Sequence, residues 1–247
     1  MDLAAYRQSE NERRRLEDLL RLLPNTGGAI LEIGPRDGYH SGILKSRFAS
    51  VIGVDLDPPK LSLPGVQMTK ASVTALPFKS GIFSCVLCAE VLEHVQDLES
   101  AAAEITRVTC GVVVIGVPFR QDIRVGKLTC SRCGRVNPPY GHINTFDEQK
   151  LKSLFHRLEL VECSFVGKVT RRTNPLSSWL MTKAGNPWAA YNQEEPCIFC
   201  GSHFEGSPSE TIKSRACASL AYRLDRVQQV FLQPSAAWIH ALFRKPA

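Results

Sequence analysis

The sequence predicts an α/β fold built on a doubly wound, mostly parallel sheet. Short apolar segments alternate with amphipathic segments of helical spacing, and parallel strands require such helical crossovers between them. The segment 111–117 is apolar throughout, as expected of a strand that helices cover on both faces. Residues 34–38 place two glycines between the first strand and its helix, where the backbone can approach a ligand closely.

The order of the elements follows from periodicity and from turn residues. Four leucines at helical spacing precede Pro24 and predict an N-terminal helix within residues 1–24. The expected strands are 29–33, 51–54, 66–69, 83–88, 111–117, 158–166 and 236–243. Further helices are expected after the glycine turn through about residue 48, and then at 91–108, 147–155 and 216–231. Segments 118–144 and 170–210 are expected to be a loop and a long insertion.

Composition excludes several classes of protein. The 247 residues are 44% hydrophobic and 22% charged, which is typical of a folded globular chain and not of a disordered, collagen-like or coiled-coil protein. No apolar run approaches the roughly 18 residues of a membrane span. The N-terminus lacks an apolar signal-peptide centre, so a cytoplasmic location is expected. Nine cysteines, an odd number, favour reduced thiols and metal ligands over a disulfide framework.

The positive charge is concentrated in one stretch. The formal net charge is +6, and residues 120–175 alone contain 11 Lys and Arg against 5 Asp and Glu. This distribution favours an anionic substrate, such as a phosphorylated lipid, a sugar nucleotide or an RNA end, over a protein that coats nucleic acid in general. A solvated basic surface without a ligand is the alternative.

The turn after the first strand does not match a dinucleotide site. Gly34 and Gly38 are four residues apart with Pro35 between them, whereas a pyrophosphate turn needs G-x-G-x-x-G. Asp55 ends the second strand, where a carboxylate can bind both hydroxyls of a ribose. The turn and this acid together predict a nucleoside site.

Five motifs resemble those of class I S-adenosylmethionine-dependent methyltransferases, of the type 11-like group. They are LEIGPRDG at 31–38, VD at 54–55, ALPF at 75–78, AEVLEHV at 89–95 and VIGVP at 114–118. The resemblance covers about residues 28–120. It implies a single methyltransferase domain over 1–247, with a Rossmann-like, seven-stranded sheet whose last strand, 238–243, is antiparallel.

The resemblance also implies how S-adenosylmethionine would bind. Gly34 and Gly38 would lie under its methionine part, Glu32 would brace the turn, and Asp55 would bind the ribose. Ser72 stands where relatives usually have an Asp that contacts the adenine, so this chain would contact the adenine there without a charged group. A non-catalytic protein that binds the cofactor is therefore an alternative. The implied cofactor-binding residues are Glu32, Gly34, Gly38, Asp55, Leu56, Ser72, Val73 and Ala89.

Four residues are candidates for catalysis. Glu90, Glu93 and His94 are expected on one helix face at i, i+3 and i+4. With His142 they resemble the metal site of O-methyltransferases that act on ubiquinone precursors or on the 3′-terminal ribose of small RNAs. A bound divalent ion would lower the pKa of an acceptor hydroxyl. Without an ion, His94 or His142 is the candidate general base.

Two Cys-x-x-Cys pairs predict a structural zinc site. Cys130, Cys133, Cys197 and Cys200 would supply four thiolates, which close a tetrahedral site and leave no position for chemistry. Insertions 119–146 and 170–235 would then form a zinc-stapled lid at the carboxyl edge of the sheet. Redox-active dithiols and unpaired surface thiols are the alternatives.

The sequence therefore predicts a cytoplasmic methyltransferase that uses S-adenosylmethionine, with structural zinc and, as a further option, a second divalent metal. The expected reaction is O-methylation of a small or lipid- or sugar-linked hydroxyl acceptor, whose identity the sequence leaves open. RNA ribose 2′-O-methylation is the alternative activity, although aromatic residues are sparse in the basic stretch. Action at a membrane surface through helix 216–231 is a third option, with few basic residues to support it.

Overall fold

The structure, a computed structural model, describes residues 7–25, 27–61, 63–207 and 211–246. Its helices are α1 Glu10–Leu22, α2 Tyr39–Leu44, α3 Leu98–Val108, α4 Glu148–Leu154, α5 Pro175–Lys183 and α6 Ile212–Val230. Its strands are β1 Ala29–Ile33, β2 Ser50–Asp55, β3 Val66–Lys70, β4 Phe83–Ala89, β5 Thr109–Pro118, β6 Leu128–Thr129, β7 Val136–Asn137, β8 Glu159–Val166 and β9 Trp238–Arg244. Single 3₁₀ turns lie at Leu92–His94 and Pro139–Gly141.

The described residues divide into two compact units. The first, here called the sheet unit, comprises residues 10–119, 146–167 and 237–246. The second, the cysteine unit, comprises residues 7–9, 120–145 and 168–236 apart from the undescribed residues 208–210. The description of 119–146 and 170–235 as a lid stays a prediction.

The sheet unit contains a seven-stranded sheet in the order β3-β2-β1-β4-β5-β9-β8. Strands β1 to β5 pair in parallel, whereas β9 lies antiparallel between β5 and β8. The order reverses beside β1, so the carboxyl ends of β1 and β4 border a topological switch point, where open α/β sheets bind their ligands. The predicted fold class is confirmed, including the antiparallel last strand.

The core explains why apolar residues of the inner strands do not alternate with polar ones. Neighbouring residues of β1 point to opposite faces, so Ile30 joins one buried cluster and Leu31 the other. Helices α3 and α4 cover one face, and α1 covers the other with residues after β1, such as Leu44 and Phe48. β5 follows the same pattern, which accounts for its unbroken apolar run.

The predicted helix over 91–108 is wrong in its first part. After β4 the chain forms the 3₁₀ turn and then becomes extended at Val95, and α3 begins only at Leu98. The Asp97 side chain caps α3 by accepting a hydrogen bond from the Ser100 amide, 3.0 Å away. Glu90, Glu93 and His94 therefore do not share a helix face.

Helical structure also differs from expectation elsewhere. The first helix after the glycine turn ends at Leu44 and not near residue 48. α1 occupies part of the predicted N-terminal helix, and residues 1–6 of that prediction lie outside the described residues. In the described ranges, no helix is both long and apolar enough to cross a membrane.

The cysteine unit holds two elements that the sequence reasoning missed. One is the hairpin of β6 and β7, and the other is α5, which interrupts the predicted insertion of turn residues. The Asn174 side chain caps α5 through the Ser177 amide, and Pro175 occupies its first turn. α6 begins one turn before the predicted residue 216, because Thr211 and Ser214 form a capping box.

Candidate functional site

The turn between β1 and α2 requires glycine at two positions. Gly34 and Gly38 have φ angles of +74° and +80°, which side-chain-bearing residues rarely adopt. A Cβ at Gly34 would lie 2.4 Å from Cγ2 of Val91, and one at Gly38 would lie 1.9 Å from Cδ1 of Leu61. The segment that carries Val91, and with it Glu90 and Glu93, therefore packs directly on the glycine turn.

Glu32 braces this turn from below. Its carboxyl group is buried in β1, where the Ser41 hydroxyl in α2 donates a hydrogen bond to Oε2. Burial raises the pKa of Glu32 to about 7, the Ser41 hydrogen bond opposes this rise, and the charge of Asp37 adds to it. Glu32 thus links the first strand to the helix after the turn, and its role at the cofactor stays a prediction.

Asp55 lies beside the glycine turn on the neighbouring strand. The amide of Gly34 donates to the carbonyl oxygen of Val54, 2.9 Å away, so Asp55 follows the residue that holds the turn. One carboxylate oxygen, Oδ1, accepts a hydrogen bond from the Asp57 amide at 3.0 Å. The next side chain, Leu56, is 68% exposed. A fixed carboxylate, an exposed apolar side chain and a close backbone turn are the features that a nucleoside with an amino-acid tail requires.

The other three predicted cofactor residues have different surroundings. The Ser72 hydroxyl lies 2.7 Å from the Thr74 hydroxyl and accepts a hydrogen bond from the Thr74 amide, so it stabilises its own loop. The Val73 side chain is buried and packs in the core. Ala89 ends β4 opposite Gly116 of β5. Their contacts with a cofactor stay predictions.

Glu90 adopts a left-handed conformation, with φ +58°, directly after β4. Its Oε1 lies 3.6 Å from Nη1 of the buried Arg15, and the indole nitrogen of Trp238 donates to its Oε2 at 3.3 Å. Burial raises the pKa of Glu90, and the charge of Arg15 opposes that rise. Because a guanidinium already lies beside this carboxylate, Glu90 does not fit the predicted set of metal ligands. Arg15 and Trp238 carry no motif, and the sequence reasoning missed both.

Glu93 is the most unusual carboxyl group of the sheet unit. Its side chain is fully buried, and among the described residues neither oxygen has a hydrogen-bond partner. Burial, reinforced by the charge of Glu90, raises the pKa of Glu93 to about 9. The carboxyl group therefore keeps its proton at neutral pH. Once ionised, it is a stronger base than an ordinary carboxylate.

The two candidate histidines lie in different units. His94 is exposed on the 3₁₀ turn of the sheet unit. His142 belongs to the cysteine unit, where its Nδ1 lies 2.6 Å from Oε1 of Gln121. Since an amide oxygen only accepts hydrogen bonds, Nδ1 is the donor of this hydrogen bond. Their roles as metal ligand or base stay predictions.

The cysteine unit brings the four predicted thiols together. The Sγ atoms of Cys130, Cys133, Cys197 and Cys200 all lie within 4.8 Å of one another. Two of these separations are 3.7 Å, close to the roughly 3.8 Å edge of a zinc tetrahedron with 2.3 Å bonds, and too long for a disulfide. The cluster thus fits a zinc ion in number, chemistry and spacing.

Both Cys-x-x-Cys pairs form the same backbone knuckle. The carbonyl of Cys130 accepts from the Gly134 amide, and the carbonyl of Cys197 accepts from the Gly201 amide, each at 2.9 Å. Both glycines have φ +69°, so each turn needs a residue that tolerates the left-handed region. The Ile198 amide also donates to the Asn137 side chain, which ties the second knuckle to β7 beside the first.

Comparison with known proteins supports the same class. A family model described as a methyltransferase domain matches residues 4–161. The solved N-methyltransferase NodS from Bradyrhizobium japonicum is similar, with a TM-score of 0.54 and 16% identity over 98% of this chain and 99% of that chain. An S-adenosylmethionine-dependent methyltransferase from Mesorhizobium loti gives 0.52 and 13% over 94% and 97%. No curated protein sequence matches this chain.

A third solved structure has a different kind of acceptor. It is geranyl diphosphate C-methyltransferase from Streptomyces coelicolor, with a TM-score of 0.51 and 15% identity over 95% of this chain and 78% of that chain. Its complex contains magnesium, geranyl diphosphate and S-adenosylhomocysteine. At these identities the likeness concerns the fold, and the acceptors of the similar proteins differ from one another.

The family model spans well over half of the sequence, and this chain belongs to the methyltransferase-domain family. The match and the sheet order confirm the prediction of a class I methyltransferase that depends on S-adenosylmethionine.

Replacing Glu93 with Gln should make stability depend less on pH. A carboxyl whose pKa is raised in the folded state contributes its full stability below its unfolded value, and this contribution is lost as pH rises towards about 9. Relative to wild type, Glu93→Gln should therefore gain on the order of 1 kcal/mol in unfolding free energy per pH unit between pH 6 and 9. Urea unfolding at several pH values measures this difference. The exposed Glu99→Gln is the control, and parallel curves for Glu93→Gln and wild type would contradict an isolated buried carboxyl.

Proposed function

We propose that this enzyme transfers the methyl group of S-adenosylmethionine to a hydroxyl oxygen, with Glu93 as the general base. The observation that carries this proposal is the buried carboxyl of Glu93, which lacks a described partner and sits on the segment that packs against the Gly34 turn. A neutral hydroxyl is a weak nucleophile, so its methylation gains most from a strong base. In this proposal the acceptor is either a small molecule or a hydroxyl group linked to a lipid or a sugar.

The residues of the sheet unit divide the work. The cofactor, when bound, would supply a methyl group on a sulfonium, and neutral S-adenosylhomocysteine would leave as the C–S bond breaks in line with the attacking oxygen. Gly34, Gly38 and Asp55 bind and orient it, and Glu32 keeps the turn in shape. Ionised Glu93 takes the proton of the acceptor hydroxyl as the new O–C bond forms. Arg15 and Trp238 hold Glu90 and so position the segment on which Glu93 lies.

The cofactor site is tested by titration with S-adenosylhomocysteine. Wild-type protein should bind it, and Asp55→Ala should weaken binding at least tenfold, since a ribose bound by two hydrogen bonds to a carboxylate loses both. Asp57→Ala is the matched control, because it keeps the backbone amide that orients Asp55. Equal affinity of the two variants would exclude Asp55 as the ribose ligand, and an absence of binding to wild type would refute the cofactor proposal.

The base is tested by transfer of a labelled methyl group into fractions of cell extract. Because the active form has Glu93 ionised, wild-type transfer should rise with pH, about tenfold per unit, until the pKa near 9. Glu93→Gln should lose at least about 100-fold in rate together with this pH dependence. Label found in N-methyl or C-methyl products, or a variant with the wild-type profile, would refute the proposal.

We propose further that the four clustered thiols hold one structural zinc ion. Elemental analysis of purified protein should find about one zinc per chain. Cys130→Ser combined with Cys197→Ser should lose the metal and lower the melting temperature. Cys217→Ser, in α6 of the same unit, is the control and should retain the metal. Metal-free wild-type protein with a readily oxidised thiol pair would favour the dithiol alternative.

A further inference from the structure

α6 has an exposed apolar stripe on its outer face. The inner face contains the buried Ala218 and Ala221, which pack within the cysteine unit. Side chains at spacings of three, four or seven residues occupy the opposite face, as one side of a helix requires. Three of them are among the most exposed large apolar side chains described, with Ile212 at 90%, Val230 at 78% and Phe231 at 81% exposure. The α6 stripe consists of Ile212, Leu220, Val227, Val230 and Phe231.

The exposed charged side chains of α6 beside the stripe have one sign. Arg223 lies within it, and Arg226 borders it on the same exposed surface. Asp225 is the one acidic residue of α6, and it points to the inner face, where the Thr173 hydroxyl lies 2.9 Å from both of its oxygens. The exposed side of α6 therefore carries positive charge only. Segments 120–145 and 168–236 contain 13 Lys and Arg against 6 Asp and Glu.

Exposed aromatic residues of the interfacial type accompany the stripe in this unit. Trp179 on α5 and Trp188 after it are each about half exposed. Trp188 contacts Tyr222 of α6 edge to face, with ring centroids 5.9 Å apart, and Lys183 approaches the Trp179 ring. Tryptophan and tyrosine combine an apolar ring with a polar group, and they are enriched where proteins meet the headgroup region of a bilayer.

We propose that the α6 stripe docks the protein on the surface of a membrane that contains anionic lipids. An amphipathic helix with aliphatic residues on one face and arginines beside them binds in this way, by inserting the apolar side chains and pairing the basic ones with headgroups. RNA would use stacking on several aromatic rings, whereas the stripe has one aromatic side chain, Phe231, among four aliphatic ones. A second copy of the chain would bring like charges together. The proposal concerns a surface of the cysteine unit and does not depend on the methyl acceptor.

The test is co-sedimentation of the full chain with lipid vesicles. Wild type should bind vesicles of phosphatidylcholine with about 30% phosphatidylglycerol at least tenfold more tightly than pure phosphatidylcholine, and salt should weaken this binding. Val230→Asp with Phe231→Asp, and separately Arg223→Glu with Arg226→Glu, should each weaken binding at least tenfold. Binding should also shift the tryptophan emission to shorter wavelength.

Matched controls lie in the sheet unit. Ile82→Asp with Val161→Asp replaces two exposed apolar residues, and Arg13→Glu with Lys79→Glu reverses two exposed charges. Both controls should bind vesicles as wild type does. The proposal would be overturned if the wild type did not bind anionic vesicles, or if the stripe variants bound them as tightly as the controls. It would also be overturned by a stripe-dependent complex with RNA or a stripe-dependent dimer formed in place of vesicle binding.

Discussion

The arrangement of Glu12 and Glu90 depends on their interactions with the buried guanidinium of Arg15. This guanidinium donates two hydrogen bonds to Glu12 of α1, at 2.8 and 2.6 Å, and lies 3.6 Å from Glu90 after β4. It also lies 5.9 Å from the ring of Trp238, which itself bonds to Glu90. One cation thus faces two carboxylates, those of Glu12 and Glu90. Burial is the main cause of the raised pKa of Glu93, the charge of Glu90 adds to it, and the charge of Arg15 opposes it.

The fold and the cofactor turn could be predicted because their signals are local. An apolar run such as β5 is compatible with few environments other than a central strand whose two faces are covered by helices. Gly34 and Gly38 have positive φ angles and no space for a Cβ, so the turn requires glycine at both positions and can be recognised from the sequence. The four cysteines were predictable for a related reason, since each pair forms the same short turn whatever lies between the pairs.

The surroundings of the acidic residues could not be predicted, because they depend on contacts between distant parts of the chain. Arg15 and Trp238 come from opposite ends of the sequence and match no motif. The prediction of a helix from Glu90 onwards was wrong for another reason. Apolar residues have helical spacing across 91–108, but Glu90 is left-handed and the helix begins only after its cap at Asp97. Periodicity reports which side chains are buried and not whether the backbone between them is helical. Helix α5 was missed because its cap, Asn174 followed by Pro175, looks like any other turn in a segment rich in such residues.

The distribution of charge suggests a division between the two parts of the sequence. Outside segments 120–145 and 168–236 the chain carries 17 Lys and Arg against 18 Asp and Glu, whereas those segments hold the whole positive excess. A sulfonium cofactor is a cation, and a nearly neutral sheet unit with buried carboxyl groups does not repel it. An anionic acceptor or an anionic surface is attracted by the opposite balance. One surface cannot attract ligands of both signs of charge. If the cofactor is cationic and the other ligand is anionic, we expect different segments of the chain to bind the two. The cysteine unit, with its knuckles and its exposed arginines, has the composition that the second task requires.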